Sequence, residues 1–297
     1  MKPFLLDLLA EPCTNEPLHT NGDNYLINSR SGKHYQIISG VPDFLIGQQN
    51  EAPGNCENTV LFDYRDHYEK DAVEFNYFQE DESLLTRNER LRSRQMVINS
   101  VPANAVSILD IGCGSAWVAA YFLRLNKQVI SMDISTTNPI KALKMYDYPN
   151  HAAVIADAFY LPFKNNSIDC IIASEVIEHV PDPARFIKST ISKLKSGGKL
   201  ILITPYNEKI EYYLCIHCNK PTPKNAHLHS FNESSIKNLT GDGIELKTTA
   251  FCNKIFLKLR LYNLLSFLPF SLWQLTDKFA NLIFRKPVIF HIEITKK

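Results

Sequence analysis

Apolar and amphipathic segments alternate along the second half of the chain. From Val106 onward, short runs of β-type apolar residues are separated by stretches with helical periodicity. The predicted strands are 106–111, 128–132, 152–156, 168–173 and 199–203, with two late strands at about 245–252 and 287–295. This alternation is typical of a mostly parallel sheet covered by helices on both faces. We therefore predict an α/β, Rossmann-like domain with a central sheet of mostly parallel strands.

Two other segments precede this domain. Residues 1–50 contain short strand-like pieces separated by polar turns, which predicts a small β-rich domain. Residues 51–104 are predicted to be a linker followed by leading helices, with a polar stretch containing Gly and Pro at Gly47–Asn58. The α/β domain covers 105–297 and includes an apolar helical insertion at about 253–286.

Composition indicates which partners and which cellular location to expect, and it does not indicate a function. The chain has 297 residues, 45% of them hydrophobic and 21% charged, and a net charge of +1, so no nucleic-acid partner is indicated. Its seven cysteines show no framework spacing, which favours reduced thiols and a cytoplasmic location. The first residues lack the long apolar core of a signal peptide, and no apolar run is long enough to predict a membrane-spanning helix.

The stretch "ILDIGCGSAW" places an acid and a Gly-x-Gly turn between a strand and a helix. Backbone N–H groups at such a turn can hold part of a nucleotide. The dinucleotide fingerprint requires a small residue three positions after the second glycine, where this chain has Trp117. The turn is therefore a poor fit to a dinucleotide.

Residues Ile108 to Ala116 resemble motif I of the class I S-adenosylmethionine (SAM)-dependent methyltransferases of the methyltransferase-11-like group, with Ala116 replacing the third glycine. "QVISMDIS", "ADAFYLPF", "SEVIEHV" and "LKSGGKLILITP" resemble the family's later motifs, in the same order. The resemblance implies a Rossmann-like class I methyltransferase fold with a seven-stranded sheet, and SAM as the cofactor. Asp133 would then accept from the ribose hydroxyls and Asp157 from the adenine amino group. The cofactor-binding residues implied are Asp110, Gly112, Cys113, Gly114, Asp133, Ile134, Asp157, Ala158 and Ser174.

The resemblance also implies direct methyl transfer to a small-molecule, lipid-linked or glycan acceptor. A hydroxyl acceptor needs a base, for which His179 and Glu175 are candidates; alternatively, both contact the cofactor or shape their loop. Tyr64 and Tyr68 are candidates to close over the methionine end, with ordinary packing as the alternative. The rival function is a non-catalytic SAM-fold scaffold or partner subunit.

A Cys-x-x-Cys pair followed by two histidines suggests a metal site. Cys215, Cys218, His227 and His229 have ligand types and spacings that fit tetrahedral zinc. Two reduced thiols with loop histidines are the competing interpretation. A third is that His227 or His229 faces the substrate.

The N-terminal segment resembles the zinc-ribbon methyltransferase-activator domain, most specifically in "ISGVPDFL". The four places of its metal ligands are taken by Glu11, Thr14, Asn28 and Ser31. Because thiolates supply most of the affinity of such sites, we expect a metal-free domain. It would be held by packing of Leu5, Leu6, Leu9, Tyr35, Ile37, Val41, Phe44 and Leu45, and would dock on or cover the α/β domain.

The stretch 255–284 is apolar but interrupted by Lys258, Arg260 and Pro269, so it is not expected to span a bilayer. It predicts helices that pack on the sheet, or a peripheral contact with a membrane or a lid over an apolar acceptor. A dimer contact is a further alternative, and the oligomeric state stays open.

Overall fold

The computed structural model describes residues 1–45, 64–78, 84–216 and 219–297, so the predicted linker Gly47–Asn58 lies outside the described residues. The first elements are α1 (Pro3–Leu8), β1 (His19–Asn21), β2 (Tyr25–Ile27), β3 (His34–Ile38), β4 (Val41–Pro42), α2 (Tyr64–Glu74) and α3 (Leu84–Ser100). The first half of the α/β domain contains β5 (Ser107–Ile111), α4 (Trp117–Phe122), β6 (Gln128–Asp133), α5 (Thr137–Met145), β7 (His151–Ile155), β8 (Ile168–Ser174), α6 (Pro183–Lys193) and β9 (Leu194–Pro205). The remaining elements are β10 (Tyr212–Leu214), β11 (Pro221–Pro223), α7 (Glu233–Leu239), β12 (Ile244–Asn253), α8 (Lys254–Lys258), α9 (Leu261–Leu264), α10 (Phe270–Phe284) and β13 (Pro287–Lys296).

The central sheet has seven strands in the order β12-β13-β9-β8-β5-β6-β7. Strands β9, β8, β5, β6 and β7 are parallel, whereas β13 is antiparallel to both β9 and β12. The predicted α/β, Rossmann-like class is thus confirmed. All carboxyl ends of the parallel strands lie at one edge, where ligands bind in open α/β sheets.

Helix α6 shows how local sequence positions the loop after β8. The Asp182 carboxylate accepts a hydrogen bond from the backbone N–H of Arg185 at 3.0 Å, and Pro183 occupies the first helical position, which lacks an N–H partner in any case. Phe186 and Ile187 are buried against the sheet. The segment between β8 and α6 is therefore fixed at its far end.

The N-terminal segment covers the β7 edge of the sheet. The backbone N–H of Phe44 donates to the carbonyl of Ile155 at 2.9 Å, and Leu9 bridges to Phe163. Its buried apolar residues join the core on that side of the sheet, among them Leu5, Leu9, Tyr35, Ile37 and Phe44. An edge strand that would otherwise be free to pair with another chain is thus closed.

Four polar residues form what we call the N-terminal tip: Glu11, Thr14, Asn28 and Ser31. The Glu11 carboxylate accepts from the backbone N–H and hydroxyl of Thr14 at 2.7 and 2.8 Å, and from the hydroxyl of Tyr35 at 2.9 Å. Asn28 Oδ1 accepts from the backbone N–H of Arg30 at 2.9 Å and of Ser31 at 3.1 Å. Two turns are closed in this way by side-chain oxygens.

Helices α8, α9 and α10 lie between β12 and β13 and pack on the opposite side of the sheet from the N-terminal segment. Within the described ranges, no helix combines the length and apolarity that crossing a bilayer requires.

Candidate cofactor and acceptor site

The Gly-x-Gly turn lies directly after β5 and has a backbone that demands glycine. Gly112 has φ +69°, and a Cβ added there would lie 2.6 Å from Cγ2 of Val176. Gly114 has φ +42°, and its N–H donates to Oδ2 of Asp133 at 3.3 Å. Ala116, at the start of α4, is also left-handed, with φ +53°. The turn is tight because the chain has to pass close to the loop after β8.

Asp133 ends β6 and is held by neighbouring donors. Its carboxylate accepts from the backbone N–H of Ser135 at 3.0 Å and from the amide of Asn138 at 3.3 Å, besides Gly114. Burial raises the pKa of Asp133, and these hydrogen bonds oppose the rise. Its orientation is set before any ligand arrives.

Asp110, in β5, is buried with an unsatisfied oxygen. Its Oδ2 has no hydrogen-bond partner among the described residues, and the same holds for Oγ of Ser174 at the end of β8. Burial raises the pKa of Asp110 well above its ordinary value; the charge of Asp133 adds to the rise and Arg94 opposes it. Buried polar atoms normally have partners. Two neighbouring carboxylates with spare acceptor capacity fit a cationic ligand that carries hydroxyls, as SAM does.

Asp157 follows β7 and is buried under α2. Its Oδ1 accepts from the backbone N–H of Phe159 at 2.9 Å. Its Oδ2 accepts from the hydroxyl of Tyr64 at 2.6 Å and from the guanidinium of Arg65 at 3.0 Å. Helix α2 therefore occupies the carboxylate that the family resemblance assigns to the adenine amino group.

A cleft of about 1750 Å³ opens at this edge of the sheet. Ligand pockets typically measure about 300–1,000 Å³, so there is room for a cofactor and an acceptor together. Predicted cofactor residues that line the cleft are Gly112, Cys113, Gly114, Asp133, Ile134, Asp157, Ala158 and Ser174. The structure therefore brings eight of the nine together at its surface, with Asp110 buried behind the turn.

The cleft is also lined by the predicted base candidates. Glu175 has φ +55°, an uncommon conformation for a residue with a side chain, and it lines the cleft beside His179. Glu178 is buried and accepts from the hydroxyl of Thr204 at 3.0 Å. Burial raises the pKa of both glutamates, and the charge of Glu175 raises the pKa of Glu178 further. Glu89 of α3 also faces this region, and burial raises its pKa as well.

His179 belongs to a small histidine cluster. Its Nδ1 lies 3.2 Å from the carbonyl oxygen of Ala226, and its ring centroid is 4.9 Å from that of His227. Nδ1 of His227 lies 2.5 Å from a carboxylate oxygen of Glu208. Burial, together with His227, lowers the pKa of His179 to about 4, so the imidazole is neutral at pH 7.

The predicted zinc ligands have different surroundings. Among the described residues, one group has ligand atoms close enough to share a metal ion: Glu178, His179 and His227, all within 4.8 Å. His229 lies elsewhere, with Nε2 3.3 Å from the carbonyl of Pro181. Cys215 lines the cleft, and Cys218 lies outside the described residues. Zinc at Cys215, Cys218, His227 and His229 stays a prediction.

The strand order and the site together define the class I methyltransferase fold. Residues 109–202 match the family model described as "Methyltransferase domain". The chain is similar to the ubiquinone biosynthesis O-methyltransferase of Bartonella quintana (strain Toulouse), with 33% identity over 112 residues, covering 36% of this chain and 44% of the relative. Identity to that of Xanthomonas axonopodis pv. citri (strain 306) is 33% over 107 residues, covering 35% and 44%. The chain thus spans less than half the length of these relatives.

Two solved structures show the same fold at low identity. An S-adenosylmethionine-dependent methyltransferase from Mesorhizobium loti matches with a TM-score of 0.51 and 14% identity, covering 70% of this chain and 100% of that chain. The [4+2]-cyclase SpnF matches with a TM-score of 0.51 and 16% identity, covering 74% and 85%. A cyclase therefore shares the fold, which alone does not fix the reaction. The chain contains a methyltransferase domain of the class I, SAM-dependent type.

Sequence reasoning missed three polar contacts of the site. They are Arg65 with Asp157, Glu69 with Thr136, and Glu208 with His227. Each joins residues from different elements, and only the charge of these residues was visible in the sequence. Tyr64, a candidate for the methionine end, donates its hydroxyl to Asp157. Tyr68, the other candidate, packs its ring 5.7 Å from that of His179.

Proposed function

We propose that this protein transfers the methyl group of SAM to a small-molecule acceptor, which is free, lipid-linked or part of a glycan. The observation that carries the proposal is the set of residues in and behind the cleft. Oriented Asp133 lines the cleft together with Glu175 and His179, and buried, unsatisfied Asp110 lies behind the glycine turn. This arrangement suits the binding of a cationic nucleoside next to a second molecule whose proton has to be removed.

On the cofactor side, the chain's own groups bind and orient. Asp133 would accept from the ribose hydroxyls, since it lines the cleft beside the glycine turn and a carboxylate has further lone pairs to offer. Gly114, with no side chain, would let the backbone approach the amino-acid end. Asp157 would accept from the adenine amino group after Tyr64 and Arg65 give up one of their contacts. SAM supplies the electrophilic methyl group when bound.

On the acceptor side, His179 would take the proton of an acceptor hydroxyl. Its Nδ1 is directed at the Ala226 carbonyl, so in the neutral ring Nε2 carries the free lone pair. Glu175 lines the cleft nearby and would orient the hydroxyl. In-line transfer depends mainly on such positioning.

Three observations support the proposal that the acceptor has apolar character and that the protein binds peripherally to a membrane. The curated relatives are named for ubiquinone biosynthesis. The cleft is lined partly by apolar and aromatic residues, including Phe75, Tyr213 and Val288. The helices between β12 and β13 expose a broad apolar surface. We also propose that residues 1–50 serve as a metal-free cover of the β7 edge, supported by the contact of Phe44 with Ile155.

Two measurements on one set of variants test the function. Calorimetry with SAM and S-adenosylhomocysteine should show binding by the wild type and a large loss in Asp133→Ala. Transfer of a labelled methyl group into lipid and small-molecule extracts should be lost in His179→Gln while SAM binding persists. His19→Gln, at an exposed histidine of β1, is the matched control and should keep both.

Absence of SAM binding by the wild type would overturn the cofactor assignment. Binding without transfer into any extract would favour the non-catalytic scaffold instead. Equal transfer by His179→Gln and wild type would remove His179 as the base and leave Glu175 to be tested.

A further inference from the structure

The helices between β12 and β13 present an unusual outer surface. We call residues 254–286, which contain α8, α9 and α10, the apolar hairpin. Phe267 is 79% exposed, Leu282 71% and Leu264 69%. The full exposed apolar set is Leu259, Leu264, Phe267, Leu272, Leu275, Phe279, Leu282, Ile283 and Phe284. Contiguous exposed apolar surface of this kind marks an interaction site.

The exposed residues of α10 follow a helical stripe. Leu272, Leu275, Phe279 and Leu282 are spaced by three, four and three positions, so they lie along one face. Trp273, Asp277 and Ala280 form the buried face, roughly opposite. The helix therefore has apolar residues on both faces, and the protein buries only one of these faces.

The buried face is firmly anchored. Asp277 accepts from the backbone N–H groups of Cys252 and Asn253 at 3.2 and 3.1 Å. The guanidinium of Arg92 lies 5.1 Å from the centroid of the Trp273 ring, and it donates to the carbonyl of Leu268 at 2.9 Å. Because the inner face is fixed by hydrogen bonds and packing, the outer face is held in place and exposed.

The charges of the hairpin identify the kind of partner. Its six basic residues are all exposed: Lys254, Lys258, Arg260, Lys278, Arg285 and Lys286. Its one acidic residue, Asp277, is buried. A second copy on a two-fold axis would bring like charges together. Exposed apolar side chains bordered only by cations are instead complementary to a surface with an apolar interior and anionic headgroups.

We propose that the apolar hairpin binds the surface of an anionic lipid bilayer. The stripe on α10, together with Leu264 and Phe267, would enter the boundary between headgroups and acyl chains. The six cations would remain at the level of the headgroup phosphates. The proposed function includes a peripheral membrane location, and this proposal specifies an anionic bilayer as the membrane. Bilayer binding itself does not depend on methyl transfer.

Helix α3 connects this surface to the cleft. Asn88 and Arg92 of α3 contact the hairpin, through the Asn263 side chain and the Ser266 and Leu268 carbonyls. Glu89 and Ser93, one position further along each, line the cleft. A helix with its side chains is about 10–12 Å across, so the cleft lies about one helix from the bilayer. An acceptor carried by lipid would reach it over that distance, a step that rests on the proposed function.

Vesicle flotation at low salt, without SAM, tests the proposal. The probes are phosphatidylcholine vesicles with and without one third phosphatidylglycerol. The wild type should bind the anionic vesicles and release in high salt. The partition coefficient should fall about tenfold or more in Leu275→Asp/Phe279→Asp and in Lys278→Glu/Arg285→Glu. Leu125→Asp, a similarly exposed leucine in the turn after α4, should bind as the wild type does.

Three results would overturn the proposal: no binding to anionic vesicles, equal binding by wild type and both hairpin variants, or equal binding to neutral vesicles. Sedimentation of the wild type and Phe279→Asp covers the alternative of a second copy. A dimer that dissociates in that variant, with no vesicle binding, would assign the face to self-association. Calorimetry with SAM on the same preparations reports separately on the proposed function, so the two can fail independently.

Discussion

The N-terminal tip, through Glu11 and Asn28, and the strand-end cleft both contain buried polar side chains, but only at the tip do all of these side chains have their hydrogen-bond partners. At the tip, the Glu11 carboxylate accepts hydrogen bonds from Cys13, Thr14 and Tyr35. At the cleft, Ser174 Oγ and, behind the glycine turn, Asp110 Oδ2 have no hydrogen-bond partner among the described residues. The pKa values of the two carboxyl groups shift in opposite directions as well: that of Glu11 is lowered and that of Asp110 is raised.

Burial favours the protonated form at both places, and the hydrogen bonds decide the outcome. At the tip they outweigh burial, so the pKa of Glu11 is lowered. At Asp110 burial dominates and the pKa is raised. A satisfied buried carboxylate stabilises a fold, whereas an unsatisfied one costs stability and indicates a ligand. This difference supports a structural role for the tip and the proposed binding role for the cleft.

Of the variants considered, Asp133→Ala should show the largest effect, a loss of SAM affinity. It removes the carboxylate proposed to accept from both ribose hydroxyls, and each hydrogen bond to a charged group contributes about 1.5–3 kcal/mol. We expect the dissociation constant for SAM to rise about 100-fold or more, measured by calorimetry. Asp242→Ala, at an exposed aspartate before β12, should leave it unchanged. An unchanged constant in Asp133→Ala would mean that the cleft does not hold the ribose there.

Most of the fold was predictable because its signals are local. Six of the seven strands of the sheet were predicted within one residue at each end, since each buried strand is an apolar run between turns. Strand β9 begins at Leu194, five residues before its predicted start. The cofactor side was also predictable, because the ends of neighbouring parallel strands meet at one edge. The contacts of α2 and the Glu208–His227 pair join distant segments, and no periodicity reports on such pairs. The satisfied state of Glu11 was likewise invisible, because it depends on Tyr35 from another strand.

Glu11→Gln tests the structural half of the comparison. An amide has one acceptor where the carboxylate has two, and its NH₂ would face donors, so we expect a loss of about 2 kcal/mol in the free energy of unfolding at pH 7. Because the folded pKa is lowered, the stabilisation by Glu11 is present above the ordinary pKa and is lost as pH falls through the folded value. Denaturant unfolding between pH 7 and pH 3 measures both. Glu245→Gln, at an exposed position of β12, is the control and should show neither change.

Asp110→Asn tests the cleft in the same way. In contrast to Glu11→Gln, we expect it to raise the free energy of unfolding of the protein without ligand. The folded pKa of Asp110 is raised, so ionisation of this group destabilises the free protein as pH rises through the interval above the ordinary value of 3.8. The amide removes that penalty, and we expect the free protein to gain about 1 kcal/mol at pH 7 and to bind SAM more weakly. Unfolding with and without SAM measures both terms. A variant less stable than wild type without ligand would show that the carboxylate is satisfied after all.

The smallest expected effect concerns Ala116, which takes the third position of the glycine turn. Its φ of +53° costs an L-residue about 1–2 kcal/mol, and glycine avoids this cost but loses more backbone entropy on folding. We expect Ala116→Gly to raise the free energy of unfolding by about 0.5 kcal/mol. Ala119→Gly, in the same helix with helical backbone, should instead lose about 1 kcal/mol. Ala116 is fully buried and does not line the cleft, so the affinity for SAM should stay within about twofold of wild type. A larger change in affinity would mean that Ala116 contributes to SAM binding and does not have a purely structural role.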